Sequence, residues 1–287
     1  MLPLGGWSKL WAMKRRISSV RVVSAVAGLA LATAACGSAL AEAPAAAVSA
    51  FNLYIAAVES RLDRQHASAD GFLAQAKAGA GSTAETDARL RRGELVIEEL
   101  TPAGGTELPG ALLHHWRGTA FAPGATAAHF ERLMRDFNNY PQHFAPQVMQ
   151  ASVTADHGDR VQAVMRVRQK HVITVVMDTA YDVSFARLDA QHRSSVSRST
   201  RISEIDSPGT PKEHALNATE EHGFLWRMNT YWSCEERDGG LYMQVESVSL
   251  TRAIPTGLGW AVRPFVQSVP RDSLEFTLRS TTTALRR

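Results

Sequence analysis

The chain has 287 residues, with 31 Lys or Arg against 28 Asp or Glu and a formal net charge of +3 at pH 7. Five of the basic residues and none of the acidic ones fall in residues 1–41, so the rest of the chain carries 26 against 28, a formal charge of −2. A near-neutral main body excludes a nucleic-acid binder built on bulk charge, and two cysteines exclude a disulfide scaffold.

The chain opens on Lys14, Arg15, Arg16 and Arg21, then the apolar run Val22 to Ala35, then the small residues of Ala39-Leu40-Ala41. A basic start, a short apolar run and small residues before a cut are the layout of a secretory signal peptide over residues 1–41. The apolar run is too short for a membrane span. The expectation is export to the periplasm or cell envelope. The same segment has a second reading, because Leu31 to Gly37 resembles a lipobox in which Cys36 is acylated and tethers the protein to a membrane. If cleavage follows Ala41, only Cys234 is left, and its aromatic surroundings predict a buried, inert thiol.

Residues 42–90 are expected to form a helical arm and linker, and residues 91–287 one domain. Phe51, Ile55, Val58 and Leu62 recur at helical spacing and predict an amphipathic helix. Residues 66–88 are rich in Ala, Gly, Ser and Thr and read as a loose or partly helical linker. Leu95-Val96-Ile97 starts a strand that turns between Thr101 and Gly105, and Leu112 to Phe121 makes the next, stopped at Pro123-Gly124. Phe130, Leu133, Met134 and Phe137 share one helical face. Tyr140-Pro141 is expected to end that helix, since the residue before a proline is pushed out of helical geometry.

Four strands follow: Val148–Ala155, Val161–Lys170, Val172–Leu188 and Gln191–Ile205, then a loop over residues 206–222. Phe224–Cys234 and Leu241–Thr251 form a hairpin across Asp238-Gly239-Gly240. Ile254-Pro255-Thr256-Gly257 breaks the last strand, and Asp272 with Glu275 have capping-box spacing, which predicts the start of a closing helix. Leu274, Leu278 and Leu285 lie on one face of it. Successive strands with short turns predict an α+β fold with an antiparallel sheet.

Residues 111–286 resemble the START-like superfamily, also called SRPBCC or helix-grip proteins. The resemblance is carried by His114-His115-Trp116-Arg117-Gly118, the helix before Tyr140-Pro141, the antiparallel run, and Ile254-Pro255-Thr256-Gly257 through Ser273-Leu274. It implies a helix-grip fold, a curved antiparallel sheet wrapped around a long C-terminal helix. It also implies a hydrophobic small molecule (lipid, quinone or polyketide-like) held between the two. No cofactor is expected. A minority of such proteins are enzymes, so a cyclase- or aromatase-like activity is the alternative. The arm at 42–90 is not explained by it, and a cell-envelope interaction protein using that arm to dock on a partner is a third reading.

The candidate site residues follow from alternation, since successive side chains on a strand point to opposite faces. One face of Phe224–Cys234 holds Phe224, Trp226, Met228, Thr230, Trp232 and Cys234; the other holds Leu225, Arg227, Asn229, Tyr231 and Ser233. Tyr181, Val183 and Phe185 make a similar apolar face. Trp116 shares a face with His114, opposite His115 and Arg117, and the sequence does not say which face turns inward. The expected ligand wall is Trp116, Tyr181, Phe185, Trp226, Met228 and Trp232, a set that would equally serve as plain core.

In Leu241–Thr251 the apolar residues switch parity after Val245, which predicts a bulge and leaves the direction of Glu246 open. An enzyme would draw its acid/base groups from His114 or His115, Tyr231, Arg227 and Glu246. Adjacent His114 and His115 point apart and cannot share a metal, and the other histidines lack ligand spacing, so no metal site is expected. The serines between Ser194 and Ser203 read as a polar face. With Arg193, Arg201, Arg166, Arg168 and Lys170 they suggest a basic, solvated side of the sheet, a second route to a membrane.

Overall fold

The computed structural model describes residues 42–76, 82–102, 105–170, 174–254 and 259–286. Both readings of the leader, with Cys36, lie outside the described residues, and so does the Pro255-Thr256-Gly257 break.

The described strands are β1 (Val96–Glu99), β2 (Thr106–Leu108), β3 (Ala111–Pro123), β4 (Val148–Asp156), β5 (Arg160–Lys170), β6 (Thr174–Arg187), β7 (His192–Asp206), β8 (His214–Ala215), β9 (Arg227–Arg237) and β10 (Gly240–Arg252). They form an antiparallel sheet in the order β1-β3-β10-β9-β7-β6-β5-β4, with β2 on β3 and β8 on β7. The β9–β10 hairpin turns through Asp238 (φ 55°) and Gly239 (φ 73°), two successive left-handed residues that match the twist of the paired strands.

Among the described residues, five α-helices flank the sheet: α1 (Ala45–Gln65), α2 (Thr83–Arg91), α3 (Ala127–Arg135), α4 (Tyr140–His143) and α5 (Gly259–Ala284). A true capping box starts α2, with Ser82 and Glu85 each satisfying the other's backbone N–H. The closing helix departs from expectation. It begins at Gly259, so Asp272 lies in its interior and caps nothing; Glu275 is used instead in an ion pair with Arg279. Asp-x-x-Glu is also ordinary same-face spacing within a helix, which is why the signal misled. Tyr140 also departs: it has helical backbone and starts α4, with Pro141 in a first turn that lacks a use for its missing N–H.

Around β3, β10 and β9 the sheet is covered on both faces, whereas β4 and β5 keep one exposed face. Leu274, Leu278 and Leu285 of α5 and Phe130, Leu133 and Met134 of α3 bury one face together with Trp116, Trp232, Phe185 and Met243. The close approach of α5 needs Gly118, since a Cβ there would meet Leu278 at 2.6 Å. On the opposite face, Phe51, Ile55, Val58 and Leu62 of α1 pack on Leu113, Tyr231, Val248 and Leu250. Leu90 of α2 packs there on Phe121 and Tyr242. The amphipathic stripe of α1 is thus spent on the sheet.

This second layer explains the parity switch in β10. The strand pairs with β3 and β9 in unbroken register, with no bulge. Leu241, Met243 and Val245 point to the α5 face, whereas Val248 and Leu250 point to the α1 face. The apolar residues change sides because the covering helix does.

Of the five residues of the expected basic side, Arg193 leaves it, while Arg166, Arg168, Lys170 and Arg201 share the face turned away from α5. A shift in the β6–β7 register between Ala180 and Tyr181 leaves Thr200 unpaired, so Arg193 and Arg201 turn to opposite sides despite equal parity. Arg193 pairs with Glu131 of α3, and Arg166 pairs with Asp178 and Glu213. Cys234 is a buried free thiol, pushed up to about 12 by burial and therefore inert as a nucleophile.

Candidate functional site

The register of the paired strands turns the α5 face into a map. One row is His114, Ser249 and Met228, crossing β3, β10 and β9. Next come Trp116, Ser247, Thr230, Ser197 and Val183 across β3, β10, β9, β7 and β6. A third row holds Gly118, Val245, Trp232, Ser195 and Phe185. Tyr181 sits beside Ser199 at the far end of the first row.

Four of the six expected wall residues meet on this face: Trp116, Tyr181, Phe185 and Trp232 are all buried in the core that includes α5. Trp226 does not join them. Pairing with β10 begins at Arg227, so strand alternation does not reach Trp226, and its indole packs with Phe51 and Ile55 of α1. Gly223 (φ 77°) bends the chain just before it. Met228 points to the α5 face by register but is only half-buried and belongs to no core cluster among the described residues.

Two members of this face carry polar atoms that lack partners. Both ring nitrogens of His114 and Nε1 of Trp116 are buried and make no hydrogen bond among the described residues. An unsatisfied buried donor costs free energy comparable to a lost hydrogen bond, so three such atoms side by side need a reason. Burial alone holds His114 down to about 4, so it is a neutral imidazole at physiological pH, one nitrogen donating and one accepting.

The hydroxyl row is the part of the site that sequence reading missed. Serines of β7 read as a solvated face, yet Ser195 and Ser197 turn toward the core that α5 closes. The available signal was parity: Ser195, Ser197 and Ser199 alternate with Val196 and Arg198.

The acid/base candidates separate by face. His115 and Glu246 do meet, with His115 Nε2 at 2.8 Å from Glu246, but on the α1 side. Tyr54 Oη of α1 lies 2.9 Å from His115 Nδ1, and Arg61 of α1 bonds the same Glu246 carboxylate. Burial raises the affinity of Glu246 for its proton, yet contact with His115 and then Arg61 leaves it below the usual carboxylate range. Tyr231 bonds Glu59 of α1, and Arg227 bonds the Trp226 carbonyl. Tyr54, Arg61, His115 and Arg117 edge an open cleft of about 460 Å³ there. Of the enzyme candidates, only His114 faces the same side as Trp232.

No protein-family model matches the chain, and no curated protein does. Solved structures similar to it include a STAR-related lipid transfer protein from Xanthomonas axonopodis, at 15% identity over 67% of this chain and 99% of that one, with a TM-score of 0.41. The Zhui aromatase/cyclase from a Streptomyces species is 14% identical over 61% of this chain and 94% of that one, at 0.42. A START superfamily protein from Mycobacterium smegmatis is 13% identical over 61% and 97%, at 0.37. Likenesses of this size assign no ligand and no activity to this chain.

Proposed function

We propose that this protein binds a hydrophobic small molecule between the α5 face of its sheet and α5. The observation that carries the reading is the trio of unpartnered buried atoms, His114 Nδ1 and Nε2 and Trp116 Nε1, on a face otherwise walled by Trp232, Phe185 and Tyr181. Small-molecule sites are mostly apolar with a few convergent polar groups. A ligand supplies what the protein leaves unmade: apolar area for the aromatic wall and hydrogen-bond partners for the trio. Each ligand methylene removed from water contributes about 0.8 kcal/mol.

Export belongs to the same proposal. It is supported by the basic-then-apolar order of residues 14–35 and the Ala39-Leu40-Ala41 end, with acylation at Cys36 as the variant that adds a membrane tether.

The test is native mass spectrometry, with solvent extraction, of the protein purified from its own host. A reproducible co-purified hydrophobic molecule is expected. Trp232→Ala should lower its occupancy at least tenfold while the fold survives; equal occupancy in the variant, or no bound molecule in the parent, overturns the reading. An enzyme of this fold would need a second acid/base group beside His114, and the described residues put His115 and Glu246 on the opposite face.

A further inference from the structure

The α5 face holds a feature that hydrophobic binding by itself does not require. Ser197, Thr230 and Ser247 stand directly beside one another on β7, β9 and β10. Trp116 ends their row on β3. All three hydroxyl residues are half-buried, and their side chains make no hydrogen bond among the described residues. Neighbouring strands lie about 4.8 Å apart, so the three hydroxyls span roughly 10 Å, with Trp116 one strand further. Ser199, by contrast, is engaged, accepting from the Met228 N–H.

A core that only needed filling would place alanine or valine at such positions, as β6 does with Val183 in the same row. Each hydroxyl both donates and accepts, so a row of them suits oxygen atoms of either kind. It does not suit a charge. Among the described residues, the cations that reach this face are Arg193, Arg187 and Arg135, which sit at its Phe185 end, and all three are bound to Glu131. A carboxylate or phosphate placed beside Trp116 and Thr230 would be an anion taken out of water without a counter-charge, which is far costlier than an unpaired hydroxyl.

We propose that the Ser197–Thr230–Ser247 row, with Trp116 Nε1 and His114, reads uncharged oxygen atoms, so that the site takes a neutral, oxygen-bearing hydrophobe and turns away an anionic one of the same apolar length. This rests on the reading that the α5 face holds the ligand. The neutral imidazole of His114 fits it, offering one donor and one acceptor and no charge.

The probes are 1-monooleoylglycerol and oleate, which share a hydrocarbon chain and differ in an uncharged glycerol ester with four oxygens against a carboxylate. Binding is read by tryptophan fluorescence at pH 8, where oleate is ionised and both probes are kept below their aggregation limits. The parent protein should bind the glyceride at least tenfold more tightly than oleate. The triple variant Ser197→Ala, Thr230→Val, Ser247→Ala should lose that preference by weakening the glyceride about tenfold and leaving oleate unchanged. A thermal melt confirms that it folds, and Thr230→Ser alone should keep the preference. Equal affinity for the two probes in the parent overturns the oxygen-reading row while the hydrophobic site stands. An unchanged ratio in the triple variant overturns it too. If neither probe binds, and no molecule co-purifies, the ligand site itself falls and the row with it.

Discussion

Glu131 of α3 is gripped by three guanidinium groups. Arg187 bonds both of its oxygens at 2.7 Å, Arg135 reaches one at 3.0 Å, and Arg193 reaches the other. The bonds from Arg187, with those from Arg135 and Arg193 added and burial opposing, hold its carboxyl down to about 2, against an ordinary 4.5. A carboxyl depressed in the folded state contributes stability above its unfolded value, and the contribution drains away as pH falls from 4.5 toward 2. Glu131→Gln should therefore destabilise the protein by about 2–3 kcal/mol at pH 7, at the low end for a buried pair because Arg187 is largely exposed. The gap between parent and variant should narrow steadily below pH 4.5, and urea midpoints measured from pH 7 to pH 2.5 check it. A gap that stays constant would mean that Glu131 acts through packing. The cluster matters to the proposed site because Arg135 also lies over the ring of Phe185, 4.0 Å from its centroid, closing that end of the wall.

Among the elements, α1 is the one whose role the sequence left open. Its apolar stripe was plain from spacing, but spacing cannot name what a stripe packs against. The structure spends it on the sheet, and the polar residues between make long-range bonds: Tyr54 to His115, Arg61 to Glu246, Glu59 to Arg198 and His66 to Ser233. An element tied this way should unfold with the sheet. Phe51, 2% exposed, is the sharpest probe. Phe51→Ala should cost about 3 kcal/mol and shift one cooperative transition seen alike by circular dichroism and fluorescence. A main transition that does not move would make α1 an appended arm. The closing helix taught the reverse lesson. Its buried leucines were legible because a stripe is a property of many residues, whereas its start was misplaced on one pair of carboxylates.

Over the whole molecule, the deciding fact is that helices cover both faces of the sheet where β3, β10 and β9 run. A sheet with one wet face shows polar and apolar residues in fixed alternation, and buried positions can then be read directly. With α1 on one side and α5 on the other, β3 is buried from Ala111 to Ala122 on both faces, and alternation loses its meaning as a guide to inside and outside. This is why Trp226 and Trp232, of equal parity in the sequence, lie on opposite sides. It gives a direct test: quenching of fluorescence by a bound probe should survive Trp226→Phe and be largely lost in Trp232→Phe with Trp116→Phe. Loss in the first variant would place the ligand on the α1 side, at the Tyr54–His115 cleft.

What the sequence determined by itself was local: strand and helix positions, the Asp238-Gly239 hairpin, the stripes of α1 and α5, and the parity by which Trp116, Tyr181, Phe185 and Trp232 keep company. These depend on backbone geometry and side-chain period, which act over a few residues. Only the tertiary structure decided which parity is which face. That choice set Glu246 and His115 beneath α1, turned the serines of β7 toward α5, and left the His114 ring and the Trp116 indole N–H without hydrogen-bond partners among the described residues. The physical reason is that a strand's two sides are chemically alike until something covers them, and the covering helices here come from opposite ends of the chain.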